Sequence, residues 1–411
     1  MLHFRHNHSN QKEDMCPNSS TCSLKTLMTK RPLLGSALPF ILRDLSLCGL
    51  AIVLSCLAVG SAADSAGAQP QQLLTPMPPA QPTLPRAGLH LDATPKPLAE
   101  SRPAVSLADL SSAFQIGTIT GLSGNLLFGA TIEGTDRIFV LDFDARRIRR
   151  VLEGPGNSSY PSWSPDGRHF AFVSDRDGNR EIYAAEWDGR SPVRLTTNPG
   201  NDENPSWSKD GSKIAFVSEV GKPGGEANVL AINVGDSPGA GSSISTLTKL
   251  SGRQTVPKIS PDGKMVSYST NRFWPGWDVC TSSIHTKQEK CLLSGAQTYC
   301  RQDYSPDGRN IVFSFGAFDA IDLGILELDS GKRTTLTSMP RREYDAIWSP
   351  DGKLIAFTAE DGRTDIYNVY LIAPGEKAAR PVISSAYSLR FLSWTKARTL
   401  ELEAERQREE G

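Results

Sequence analysis

Trp348-Ser349-Pro350-Asp351-Gly352-Lys353-Leu354-Ile355-Ala356-Phe357 carries the decisive pattern of this 411-residue chain. An aromatic closes one apolar stretch, a four-residue turn follows, and a second apolar stretch begins. Ser at the first turn position, Pro fixing φ at the second and Gly at the fourth suit a type I turn. The unit recurs as Trp163-Ser164-Pro165-Asp166-Gly167, Trp207-Ser208-Lys209-Asp210-Gly211, Ile259-Ser260-Pro261-Asp262-Gly263 and Tyr304-Ser305-Pro306-Asp307-Gly308. The five glycines lie 44, 52, 45 and 44 residues apart, and a degenerate copy ends at Gly124, 43 residues before Gly167. Recurrence at one such period marks a repeat architecture.

Each turn leads into an apolar run, at 170–173, 214–217, 265–268, 311–313 and 354–357. These runs do not alternate, as expected for strands buried on both faces. Two further short strands fit before the next copy. Four strands per 40–50 residues describe a propeller blade. The expected fold is all-β, a six-bladed β-propeller of four-stranded blades over 112–398. After the sixth blade, Leu389-Arg390-Phe391-Leu392-Ser393-Trp394 reads as a first strand without the rest of a blade. It is expected to fill the innermost place of blade 1, with 114–120 as the rival.

The repeated W-S-P-D-G-[RK]-x-[IL]-A-F unit resembles that of the TolB-like six-bladed propellers, over about residues 112–398. The resemblance implies a periplasmic protein that binds other proteins or peptides. It transfers no individual binding residue. The namesake of the family carries an α/β domain before its propeller, and here a linker is expected in that place.

Residues 1–63 read as a leader, a signal peptide or signal anchor. Positions 45–63 form 19 uncharged residues, and six basic against three acidic residues precede them. That charge bias keeps the N-terminus cytoplasmic and places the rest outside. Small residues at Ser61 and Ala63 suit cleavage, Met28 is an alternative start, and Val53-Leu54-Ser55-Cys56 loosely resembles a lipoprotein box. Residues 64–111 read as a Pro-rich disordered linker, with nine prolines between 69 and 103. Residues 399–411 read as an acidic tail, solvated and helical or frayed.

Composition excludes several functions. With 44 basic and 45 acidic residues the net charge is −1, so no nucleic-acid partner is expected. Six histidines, three of them in the leader, make no metal centre, and no cofactor is expected. Gly235-Asp236-Ser237-Pro238-Gly239 matches a nucleophile elbow literally, but it falls in a Gly/Ser-rich hairpin loop without the strand–helix context. His169 and His285 lack an evident nucleophile. Cys280, Cys291 and Cys300 permit one disulfide in an oxidising compartment, although a simple register offsets Cys280 and Cys291 by two residues.

Strands alternate direction within a blade, so the Ser-Pro-Asp-Gly turns share one rim. Inter-blade segments and second-to-third-strand loops share the other. The second rim concentrates Tyr160, Asp202, Glu203, Arg253, Arg272, Phe273, Trp274, Tyr299, Arg301, Arg342 and Tyr344. Tyr, Trp and Arg dominate protein-binding hot spots. The expected function is a non-enzymatic, monomeric module that binds a protein or peptide of the cell envelope. The alternative is an envelope hydrolase or lyase with an atypical site on the channel. The leader predicts export: cell fractionation should place the propeller outside the cytosol, and full-length protein in the cytosol would refute this.

Overall fold

The computed structural model describes residues 113–219, 226–235, 243–273, 276–317, 320–362 and 366–410. The leader, the linker, the loop at 236–242 and Trp274 lie outside the described residues. Six antiparallel sheets are present, five of four strands and one of five. Their inner strands are Leu389–Thr395 for blade 1, Ser158–Trp163 for blade 2, Asp202–Trp207 for blade 3, Gln254–Ile259 for blade 4, Thr298–Tyr304 for blade 5 and Glu343–Trp348 for blade 6. Each inner strand contacts the next around a closed circle. The fold is a six-bladed β-propeller, as the repeat implies.

The repeated turn is explained by its hydrogen bonds. In blade 2 the Gly167 amide donates to the Ser164 carbonyl at 2.9 Å, and Gly167 has φ +72°. The Ser164 hydroxyl donates to Asp166 and accepts from the His169 amide at 3.0 Å. The Arg168 amide donates to the same Asp166 carboxylate. Equivalent bonds recur at Ser208, Ser260, Ser305 and Ser349. Ser and Asp thus satisfy the turn's own polar groups, and Gly takes the left-handed position.

The non-alternating runs are explained by the core. The apolar side chains divide into clusters, each shared by two consecutive blades. On one strand of blade 2, Phe170 and Phe172 pack with Leu127 and Val140 of blade 1, while Ala171 and Val173 pack with Ile214 and Phe216 of blade 3. Successive side chains point to opposite faces, and both faces are buried.

Two strands close the ring. Leu389–Thr395 pairs with Asn125–Ile132, inside blade 1. Phe114–Ile116, the rival for that place, instead pairs outside Arg380–Ser385 as the fifth strand of blade 6. Its Phe114 packs tilted against Phe139 of blade 1, 5.0 Å between ring centroids.

Two local expectations are corrected. Cys280 and Cys291 stand directly opposite each other and form a disulfide. A bulge between Val279 and Cys280 removes the two-residue offset. Cys300 remains outside it as a buried thiol. The C-terminal segment is helical but not wholly solvated: helix α1, Thr399–Glu410, docks on blades 1 and 2. Leu402 is buried in their shared core, Arg406 pairs with Asp188 at 2.8 Å, and Arg168 pairs with Glu405 at 3.1 Å. An apolar Leu among charged neighbours supplies the docking face.

Truncation separates the two C-terminal elements. Ending the chain at Ser385 strips the inner strand from blade 1 and leaves buried backbone groups unpaired; loss of cooperative unfolding is expected. Ending it at Arg398 removes only helix α1 and should cost about 2 kcal/mol, the order of one buried Leu, with a cooperative melt retained. Parent-like melting of the Ser385 truncation would overturn the closure.

Candidate functional site: the tunnel and its inter-blade mouth

All six inner strands carry the same irregularity. Their pairing with the second strand shifts register in every blade. Three residues before the closing aromatic position, φ turns positive: Tyr160 (52°), Asn204 (55°), Val256 (50°), Arg301 (55°), Asp345 (53°) and Phe391 (60°). Left-handed backbone is disfavoured for such residues, most of all for β-branched Val256. Six repetitions show that the bulge belongs to the architecture. These six side chains line the narrow tunnel on the ring axis, a cavity of about 70 Å³. That is room for a few waters.

The bulge diverts inner-strand amides from their own ladder toward the neighbouring blade. The Trp163 amide donates to Ser393 Oγ at 2.9 Å, and the Trp348 amide to Asp303 Oδ2 at 3.1 Å. The Phe391 amide donates to Asp345 Oδ2 at 3.1 Å. The ring around the tunnel is therefore tied laterally as well as packed.

At the inter-blade mouth the charged residues are paired. Asp345 accepts from both Arg301 and Arg390, the latter at 2.7 Å. Burial alone would raise the Asp345 carboxyl; the two guanidiniums outweigh it and hold the group well below the usual carboxylate range. Arg390 also lies over Tyr367 at 4.8 Å and Tyr344 at 5.2 Å, and Arg301 over Tyr344 at 5.3 Å. Phe391 packs tilted against Tyr160 with ring centroids 3.8 Å apart. The result is a buried Arg–Asp–Arg triad walled by aromatic rings. Removing one partner from such a group typically costs about 3–5 kcal/mol.

The sequence-derived residues divide by accessibility. Asp202, Glu203, Tyr299, Arg301 and Tyr344 are buried and help build the mouth. Tyr160 is half-buried, and loss of water raises its phenol well above the usual range. Glu203 pairs with Arg180, Arg253 with Glu219 at 3.0 Å, Arg272 with Glu289, and Arg342 with Glu360. Arg342 is thus a structural partner, and its removal would also reduce stability. Phe273 is 51% exposed, with the Arg272 guanidinium 4.4 Å above its ring. Trp274 lies outside the described residues. Tyr160 and Arg301 meet at the tunnel, and Arg301 and Tyr344 meet in the triad. The structure describes Arg253 and Arg272 in ion pairs with other partners.

Four residues of the site were absent from the rim read from the sequence. Asp345 and Phe391 were findable by their place, three positions before the repeated aromatic. Arg180 and Tyr367 had no such signal, since they come from a loop and a third strand.

The fold and tunnel define the class, a six-bladed propeller with a constricted axial channel. Residues 128–300 match the family model described as the TolB beta propeller domain. A 79-residue stretch is 33% identical to the Tol-Pal system protein TolB of Francisella tularensis, 19% of this chain and 18% of that protein. A 114-residue stretch is 32% identical to an uncharacterized peptidase, YuxL, of Bacillus subtilis, 26% of this chain and 17% of that protein. The chain thus spans under a fifth of these relatives' length. The structure of TolB from Acinetobacter baumannii superposes with a TM-score of 0.57 at 19% identity, over 66% of each chain. The ring is a TolB-like β-propeller.

Two carboxyls at the start of inner strands titrate unusually. Burial raises Asp202 to about 6 and Glu343 to about 7. Glu343 accepts from Thr337 through one oxygen, while the other is buried without a partner. Each binds its proton more tightly folded than unfolded. Their protonated forms therefore favour folding below the ordinary carboxyl range, and that stability is lost as pH rises to about 7. Glu343→Gln should leave stability nearly unchanged at pH 4 and raise it at pH 8 by up to about 3 kcal/mol. Urea denaturation at the two pH values checks this; destabilisation at pH 8 would contradict it.

Proposed function

We propose that this protein is a non-enzymatic, extracytoplasmic module that captures a protein or peptide segment at the inter-blade mouth. The carrying observation is the concentration of aromatic rings and arginines around that mouth, with the Arg–Asp–Arg triad as its rigid floor. The triad and its rings are already formed, so little ordering accompanies association. The accessible contact groups are Phe273 and Arg180, whose side chain is 54% exposed. Likeness to a Tol-Pal system protein supports a protein partner. The Cys280–Cys291 disulfide supports an oxidising compartment.

The enzyme reading draws on the likeness to the Bacillus peptidase. Among the described residues, the histidines are His169 and His285, and neither imidazole hydrogen-bonds a serine or cysteine. The capture reading therefore stands first.

Photo-crosslinking of immobilised propeller to an envelope extract, followed by competition, tests it. Phe273→Ala and Arg180→Ala should each weaken capture by about 1–3 kcal/mol, as hot-spot truncations do. Phe273→Ala should melt like the parent, whereas Arg180→Ala also leaves the buried Glu203 carboxylate without its ion-pair partner and should melt lower. Unchanged capture in both variants would overturn the assignment to this mouth.

A further inference from the structure

The opposite mouth of the tunnel, ringed by the Ser-Pro-Asp-Gly turns, is much wider than the tunnel. It opens into a funnel of about 450 Å³. Its walls include the indoles of Trp163, Trp207, Trp348 and Trp394 and the turn prolines Pro261 and Pro306. Gly211, Gly308 and Gly352 lie close beside Pro165, Pro261 and Pro306 of neighbouring turns. The funnel narrows toward the tunnel, with which it shares Ser206, Lys258, Ile347 and Leu392.

Its charge is one-sided. Lys209, Lys258 and Lys396 line it, against one carboxylate, Asp303. Asp303 is already engaged, 3.4 Å from Lys258 and accepting from the Trp348 amide. Among the described residues no carboxylate pairs with Lys209 or Lys396, and both are exposed. Lys209 stands where the other turns have proline. Its ammonium reaches from blade 3 to the Pro306 carbonyl of blade 5, at 2.8 Å. A single neutral acceptor holds this cation across the mouth, and a carboxylate is the stronger partner.

We infer that this funnel is a second binding site, for the carboxyl-terminal end of an acidic peptide. Aromatic and proline walls take apolar side chains. Lys209 and Lys396 at the lip take acidic side chains. The narrow tunnel stops a chain from passing through, which favours a chain end, whose terminal carboxylate shares Lys258 at the throat with Asp303. The site is independent of the inter-blade mouth.

The intrinsic tryptophan fluorescence of the full chain reads occupancy, because four indoles wall the funnel. The probe is acetyl-Glu-Leu-Glu-Leu-Glu-Leu with a free carboxylate. A saturable change is expected, weakened about tenfold when the probe is C-terminally amidated and about tenfold or more by combined Lys209→Ala and Lys396→Ala. Phe273→Ala should bind the probe like the parent, which separates this site from capture at the other mouth. The inference is overturned if no saturable change occurs, or if the amide or acetyl-Lys-Leu-Lys-Leu-Lys-Leu binds as well. It is overturned equally if the lysine variant binds unchanged, or if succinate matches the peptide and marks a simple anion site.

Discussion

Every blade of this protein is apolar on both faces, and that constraint governs the rest of the structure. A sheet with two buried faces needs a neighbour on each side. Phe170 and Phe172 face one neighbour, Ala171 and Val173 the other, and the pattern repeats around the ring. An open row of such blades would end in two exposed apolar sheets. Closure removes both ends, and it draws on both ends of the described propeller. Leu389–Thr395 enters blade 1 from inside, and Phe114–Ile116 covers blade 6 from outside. Loop closure over so long a stretch costs entropy that grows only slowly with length, so two strands and their packing suffice to offset it.

The bulge in each inner strand is the second organising feature. It turns amides from their own ladder to neighbouring blades, so that Ser393, Asp303 and Asp345 each accept from the next inner strand. The same left-handed residue aims a side chain at the axis. Structural and functional demands thus fall on one position per blade. Five of the six residues there are polar or aromatic, and the sixth, Val256, bears the least favourable backbone. The ring obtains a constricted tunnel from this arrangement, with mouths of different chemistry. Paired arginines and carboxylates build one, and indoles, prolines and lysines build the other.

The C-terminal helix shows how little is needed to alter the reading of a segment. Its composition is that of a solvated helix, and most of its surface is polar. One buried leucine, Leu402, and two ion pairs with blade 2 are enough to dock it. It lies on the turn side of blades 1 and 2, where Trp187 sits between the guanidiniums of Arg149 and Arg406.

The repeat by itself determined the number of blades and the four-strand unit, and it left two rivals for the inner place of blade 1, which the structure gives to Leu389–Thr395. Blade number and strand unit follow from local turn chemistry and periodic burial, which are written in consecutive residues. Sequence also concentrated arginines and aromatics at the inter-blade rim. It could not tell which of them are contact groups. Arg301 sits on the inter-blade rim, yet it is buried because Asp345 comes to it from the next blade, and Tyr344 is covered by the guanidiniums of Arg301 and Arg390 from the two neighbouring blades. The Cys280–Cys291 pairing likewise depended on one bulge that no spacing announces. Nothing in the repeat announces that Lys209 reaches the Pro306 carbonyl two blades away. What only the tertiary structure decided is which distant residues share charge, because partners separated by whole blades meet only when the ring closes.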